Sequence, residues 1–234
     1  MNKSPRFPTT RWTRIAYASD PTHPHARAAI AELFQLYWYP AYAVIRRYGT
    51  SPQEAEDLTQ SFFLYAYEHT TLQKADRTKG RFRTFVTTCL RNFFSDDYRH
   101  RTSAKQGGPE KLVSFDALAA EARYAAEPVD NRTPEKIFEG KLALEILAGA
   151  MKELEDEAAD PKIFAALRGY INREDDVESY AAIASRLSIP TGTLKSHASR
   201  FRKDLRRIVR DRVGETVANE EEVDAEIVAL EEAL

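Results

Sequence analysis

The chain has 234 residues, 43% of them hydrophobic and 30% charged, enough for one large globular domain or two small ones and suited to a soluble helical protein. Its single cysteine, Cys89, excludes an intramolecular disulfide. No stretch approaches the roughly 20 apolar residues that span a bilayer, and the opening MNKSPRFPTTRWTR has neither an apolar run nor a cleavage signal, so a cytoplasmic location is expected. The net charge of −2 argues against a nucleic-acid partner until its distribution is read. Residues 195–212 hold eight Lys/Arg against two Asp, residues 213–234 hold eight Asp/Glu and no base, and the remainder is neutral.

Residues 1–25 are polar and carry Pro5, Pro8, Pro21 and Pro24, which predicts a loose N-terminal arm. From Ala26 to Tyr48, the apolar residues Ile30, Leu33, Phe34, Tyr37 and Trp38 recur at spacings of three and four and predict a helix that Pro40 kinks or restarts. Gly49-Thr50-Ser51-Pro52 reads as a helix stop, an N-cap and a first-turn proline. Helices are predicted over about 52–70 and 82–101, on either side of a Lys/Arg/Gly-rich loop. Residues 103–134, broken by Gly107-Gly108-Pro109, Pro128 and Pro134, read as an interdomain linker with an apolar patch at Leu112, Val113, Phe115 and Leu118 that could dock. Thr133-Pro134-Glu135 opens a further helix, and three more follow near 161–171, 177–187 and 191–212. There is no strand-length alternation and no internal repeat, so the fold class is all-α, in two helical bundles.

The segment 178–212 has the pattern of a helix-turn-helix. Ile183 and Leu187 face one way on a short helix, and Ser188-Ile189-Pro190-Thr191 makes a tight turn in which Thr191 is placed to cap the next helix. Leu194, Ala198, Phe201 and Leu205 then mark a buried face. The other face presents Thr193, Lys195, Ser196, His197, Arg200 and Lys203, which with Thr191 are the expected duplex contacts of a helix lying in the major groove. Arg202, Arg206, Arg207 and Arg210 are candidates for phosphate contacts or for pairing with the acidic tail. The competing reading is a solvated charged helix; the turn and the division of the second helix into two faces argue against it.

AEDLTQSFFLYAYEH (55–69) followed by GRFRTFVTTCLRNFFSDDYRHR (80–101) resembles the region-two domain of extracytoplasmic-function (ECF) RNA polymerase sigma factors, and 179–205 resembles their region-four domain. TRWTRI and the YWYP segment at 37–40 look like a divergent subgroup. The resemblance implies a region-two-like domain over 26–102, a flexible linker over 103–134, a region-four-like helix-turn-helix domain over 135–213 and an acidic tail over 214–234. It implies RNA polymerase core and promoter DNA as partners, with an anti-sigma factor or a kinase as candidate regulators. Glu56, Asp57 and Gln60 would lie on the surface that grips the polymerase, Ser61 standing where many members have another acid. Asn92 would read a flipped base of the −10 element, supported by Arg91, Phe93, Tyr98 and Arg99, while the helix-turn-helix reads the −35 element. Unstacking a base costs a few kcal/mol, and aromatic stacking at about 1–3 kcal/mol per base offsets it. Around Asn92 the chain supplies Phe82, Phe85, Phe93, Phe94 and Tyr98, of which Phe82, Phe85 and Phe94 are assigned to the core, with Lys79, Arg81, Arg83, Arg91, Arg99 and Arg101 for the DNA backbone.

In the acidic tail, Val223, Ile227, Leu230 and Leu234 fall on one helical stripe. It packs as an extra helix on the C-terminal bundle, or it folds over the basic face of 195–212 and competes with DNA; a regulator's docking site is a third use. An enzyme is not expected. The five histidines show no metal-ligand spacing, no phosphate-cradling glycine loop occurs, and Cys89 sits at helical spacing from Phe82, Phe85 and Val86 as a buried structural thiol. No cofactor, metal or small-molecule substrate is implied. The rival function is a helix-turn-helix regulator acting without polymerase core, and a further one is a sigma-like protein that binds polymerase without initiating. Thr59, inside the docking helix, is a conceivable phosphorylation site.

Overall fold

The computed structural model describes residues 12–68, 71–101, 117–127, 132–172 and 175–234, without the side chains at 13, 77, 96–101 and 117. Among them are α1 (Thr13–Ser19), α2 (Ala26–Arg47), α3 (Pro52–Glu68), α4 (Phe82–Arg101), α5 (Ala117–Ala126), α6 (Pro134–Glu157), α7 (Pro161–Asn172), α8 (Tyr180–Leu187), α9 (Thr191–Gly214) and α10 (Glu221–Glu231). Short 3₁₀ turns at Thr71–Lys74 and Arg77–Lys79 lie between α3 and α4. The described residues contain no strand, and the class is all-α.

The chain forms two compact units. One takes the described residues up to Glu145 together with Val213–Leu234; the other is Ile146–Arg212. The division falls inside α6, eleven residues beyond the boundary expected from the sequence (146 against 135). The reason is that α6 is apolar along its whole length. Ile137, Phe138 and Leu142 belong to the first core, while Ala150, Met151 and Leu154 belong to the second.

The first unit is built around α2, which runs through Pro40 without a break and buries Leu33, Phe34, Tyr37, Trp38, Tyr42 and Ile45. Burial on both sides of the proline compensates for the backbone hydrogen bond it removes, so the helix does not restart there. The α2–α3 turn follows the predicted chemistry. Gly49 has φ +84°, and Ser51 and Glu54 form a reciprocal capping box: the Glu54 amide donates to Ser51 Oγ at 3.3 Å and the Ser51 amide donates to Glu54 Oε2 at 3.0 Å.

Three segments differ from their expectations. Residues 12–19 are not a loose arm: α1 buries Trp12, Ile15 and Ala18, whose spacing of three puts them on one face, and the Trp12 ring stands edge-on to Phe82 with centroids 5.9 Å apart. Inside the interval read as a linker, α5 is attached to α2 by polar contacts. Glu121 accepts from Tyr42 Oη at 2.5 Å and from Arg46 Nε and Nη2 at 2.9 Å each, while Tyr39 Oη donates to Glu127 at 2.9 Å and the Arg123 guanidinium lies 3.8 Å from the Tyr39 ring centroid.

The acidic segment 213–234, thirdly, belongs to the first unit. Val217, Val223 and Ala233 are fully buried there. Gly140, in mid-α6, fits this packing: a Cβ at that position would lie 2.5 Å from the Ala233 carbonyl oxygen. Glycine costs a helix interior about 1 kcal/mol relative to alanine, and the close approach of Ala233 gives it a reason to be there.

The second unit packs α7, α8 and α9 with the distal half of α6. Phe164 and Phe201 meet edge to face at 5.4 Å in a core that also holds Leu167, Ile183, Leu194, Ala198 and Ile208. Ser179 caps α8, its Oγ accepting from the Ala182 amide at 3.2 Å, and Ser188 turns the chain with φ 56°.

Candidate nucleic-acid interface

On α3, Ala55, Leu58, Thr59 and Phe62 face inward, leaving Asp57 exposed and Glu56 and Gln60 half-buried. Gln60 Nε2 donates to Glu56 Oε1 at 2.9 Å, so two of the three expected polymerase contacts already form a pair one helical turn apart. Thr59 is fully buried and its hydroxyl donates to the Ala55 carbonyl at 2.6 Å. A kinase cannot reach that hydroxyl in the folded chain, which removes it as a modification site.

On α4, Phe82 is core, Phe85 is half-buried with its ring stacked 5.9 Å from Phe82, and Arg91 and Asn92 are exposed. Arg91 lies 4.0 Å from Glu135, an exposed pair of little energetic weight. Phe93 packs against Phe62 at 5.7 Å and Tyr65 at 5.6 Å. Phe94 stacks on Tyr48 at 4.6 Å with 22° between the ring planes. Phe94 is therefore half-buried against an exposed tyrosine rather than wholly core. Tyr48 and Tyr65 are both exposed; Tyr48, which closes α2, was not among the residues singled out from the sequence, and only the fold brings the two to Phe94 and Phe93. The side chains of Tyr98, Arg99 and Arg101 lie outside the described residues. Cys89 is half-buried and lines an apolar hollow with Leu33, Phe34, Phe62, Leu72 and Phe85; burial pushes its thiol above the usual value, which disfavours the nucleophilic thiolate.

Two of the arginines expected at DNA phosphates are committed elsewhere. Arg83 is 5% exposed and pairs with Glu139 at 3.1 Å and with Glu226, while Arg81 Nε lies 2.9 Å from Glu226 Oε2. Glu226 itself is 2% exposed. Desolvation presses the Arg83 guanidinium below its ordinary value, against the attraction of Glu139.

On α9, Thr193, Lys195, Ser196, Arg200 and Lys203 are exposed, and Thr191 and His197 are half-buried. The helix opens at Thr191 itself, with the Pro190 carbonyl accepting from the Thr193 and Leu194 amides at 2.9 and 3.2 Å, so Thr191 sits in the first turn instead of capping it. Lys195 Nζ reaches to 5.9 Å from the Tyr180 ring of α8, and Ser196 Oγ donates to the Gly192 carbonyl at 3.0 Å. Arg207 pairs with Asp211 and Glu157, and Arg212 with Glu153, all within the second unit.

The all-α chain thus carries one helix with an exposed amide beside aromatic pairs and another with a basic outer face. Residues 33–104, which span α2 beyond its first turns, α3 and α4, match the Sigma-70 region 2 family model. No match is found among curated proteins or among solved structures.

Proposed function

We propose that this protein is a sigma factor of the ECF type that directs RNA polymerase core to specific promoters, with −10 recognition and melting by the first unit and −35 recognition by the helix-turn-helix. The observation that carries the reading is the surround of Asn92. This exposed amide is followed along α4 by Phe93 and Phe94, each with a tyrosine partner whose face is open to solvent, inside the segment that matches Sigma-70 region 2. An amide for base edges and aromatic faces for stacking are what a strand lifted out of a duplex requires. Asp57, with the Glu56–Gln60 pair, is the polymerase-facing surface, and an acidic patch with an apolar edge suits a basic helical hairpin. Thr193, Lys195, Ser196, Arg200 and Lys203 face the −35 duplex.

Reconstitution with core polymerase tests this directly. Co-purification with core together with promoter-dependent run-off transcription is the expected outcome. Duplex binding without association with core makes the protein a helix-turn-helix regulator instead. Association with core without transcripts makes it a sigma-like protein that does not initiate.

A further inference from the structure

Segment 213–234 contributes eight acidic side chains, and among them Glu226 alone is buried. It lies where the sequence offers no hint of a target, against the arginines that flank the first residue of α4, Arg81 and Arg83. A backbone contact accompanies it: the Phe82 amide, otherwise without a helical acceptor, donates to the Thr216 carbonyl at 3.4 Å. The segment is anchored again at α6, where Arg132 Nη1 donates to the Ala233 carbonyl and Gly140 makes room for it.

An apolar side chain at 226 would hold the segment down without the desolvation that a buried carboxylate incurs. What the carboxylate adds is direction. It orients two guanidiniums that flank the first residue of the helix and places a negative charge at the N-terminal end of α4, where the helix dipole favours it. Asn92 lies ten residues further along the same helix, about 15 Å at 1.5 Å per residue, so a tilt of about 10° at the first turn displaces it by about 2–3 Å.

We propose that Glu226 is a positioning residue of the strand-reading site: it fixes the first turn of α4 through Arg81 and Arg83 and so sets where Asn92 meets the base. The inference rests on the sigma-factor reading above. Its test uses the full-length chain in holoenzyme. Glu226→Gln is compared with Val223→Ala, which loosens the same segment without touching either arginine. The readouts are melting temperature, core binding, binding to a −35 duplex, and the ratio of affinities for single-stranded oligonucleotides carrying the matched −10 element and one with its flipped base changed.

Glu226→Gln should lower that ratio by about tenfold, short of the hundredfold that a 1 Å misplacement can cost, while core and −35 binding stay within about twofold. Val223→Ala should lower the melting temperature and leave the ratio unchanged. Arg81→Gln, which keeps the buried Arg83–Glu226 pair and so protects the fold, should lower the ratio by about threefold. An unchanged ratio in both Glu226→Gln and Arg81→Gln, or an equal loss in Val223→Ala, overturns the inference alone. If wild-type holoenzyme fails to distinguish the two oligonucleotides, the sigma-factor reading falls and takes the inference with it.

Discussion

The start of α4 and the outer face of α9 both carry basic residues at close spacing, and the fold uses them in opposite ways. Arg81 and Arg83 turn onto Glu226 and Glu139, whereas Lys195, Arg200 and Lys203 stay at the surface of α9. The difference lies in what is packed alongside. Around Arg83 are Tyr37, the proximal half of α6 and the acidic segment, and a buried charge there is tolerable only when paired. The exposed flank of α9 meets solvent, which screens its charges and leaves them for a polyanion. A basic run thus marks a nucleic-acid surface only where burial has not already engaged it.

The largest expected effect breaks the buried side of this comparison. Arg83→Met leaves Glu139 and Glu226 without their shared guanidinium and should cost about 3–5 kcal/mol of stability, read as a fall in midpoint on chemical denaturation. Gly140→Ala is expected to be next. Alanine favours the helix by about 1 kcal/mol, but the methyl meets the Ala233 carbonyl, and overpacking of about 1–3 kcal/mol should prevail; a higher melting temperature would mean that residues 230–234 move aside freely. On the open side, Lys203→Ala should change stability by no more than about 0.5 kcal/mol, yet lower the salt slope of −35 duplex binding by about one ion. An unaltered slope would put Lys203 away from phosphate.

The smallest effect concerns acid. Arg46 and Tyr42 hold the Glu121 carboxyl below its ordinary value of 4.5 against the opposing effect of burial. Its contribution is therefore fully present above that value and is lost as the pH falls through the lowered one. Amide exchange across Ala117–Ala126 should accelerate between about pH 5 and about pH 3, ahead of exchange in α2. Uniform acceleration would show that α5 is not held through Glu121.

Much of this architecture is legible in the sequence. The N-cap before Pro52, the spans of α3 and α4, and the alternation of buried and exposed positions on α9 are local patterns, and the structure follows them to within two or three residues. What escaped was set by partners far along the chain. α5 is alanine-rich with little apolar stripe, and it attaches through Glu121, Arg123 and Glu127 to tyrosines 79–88 residues away, contacts that leave no period to read. Val223 and Leu230 mark the buried stripe of α10, but nothing local says to which unit it belongs. Tyr48 and Tyr65 stand among unremarkable aromatics until α2 and α3 are folded beside α4.

One consequence follows from the order in which the parts of the first unit are made. Residues 213–234 complete a unit whose other members end at Glu145, and the whole helix-turn-helix unit lies between them. A ribosome adding roughly 5–20 residues per second needs about 3–13 s to bridge that gap. Throughout that interval the emerging chain carries Arg83 without Glu226 and Phe82 without its cover, so a nascent chain acquires a finished first unit only after the second unit has been synthesised.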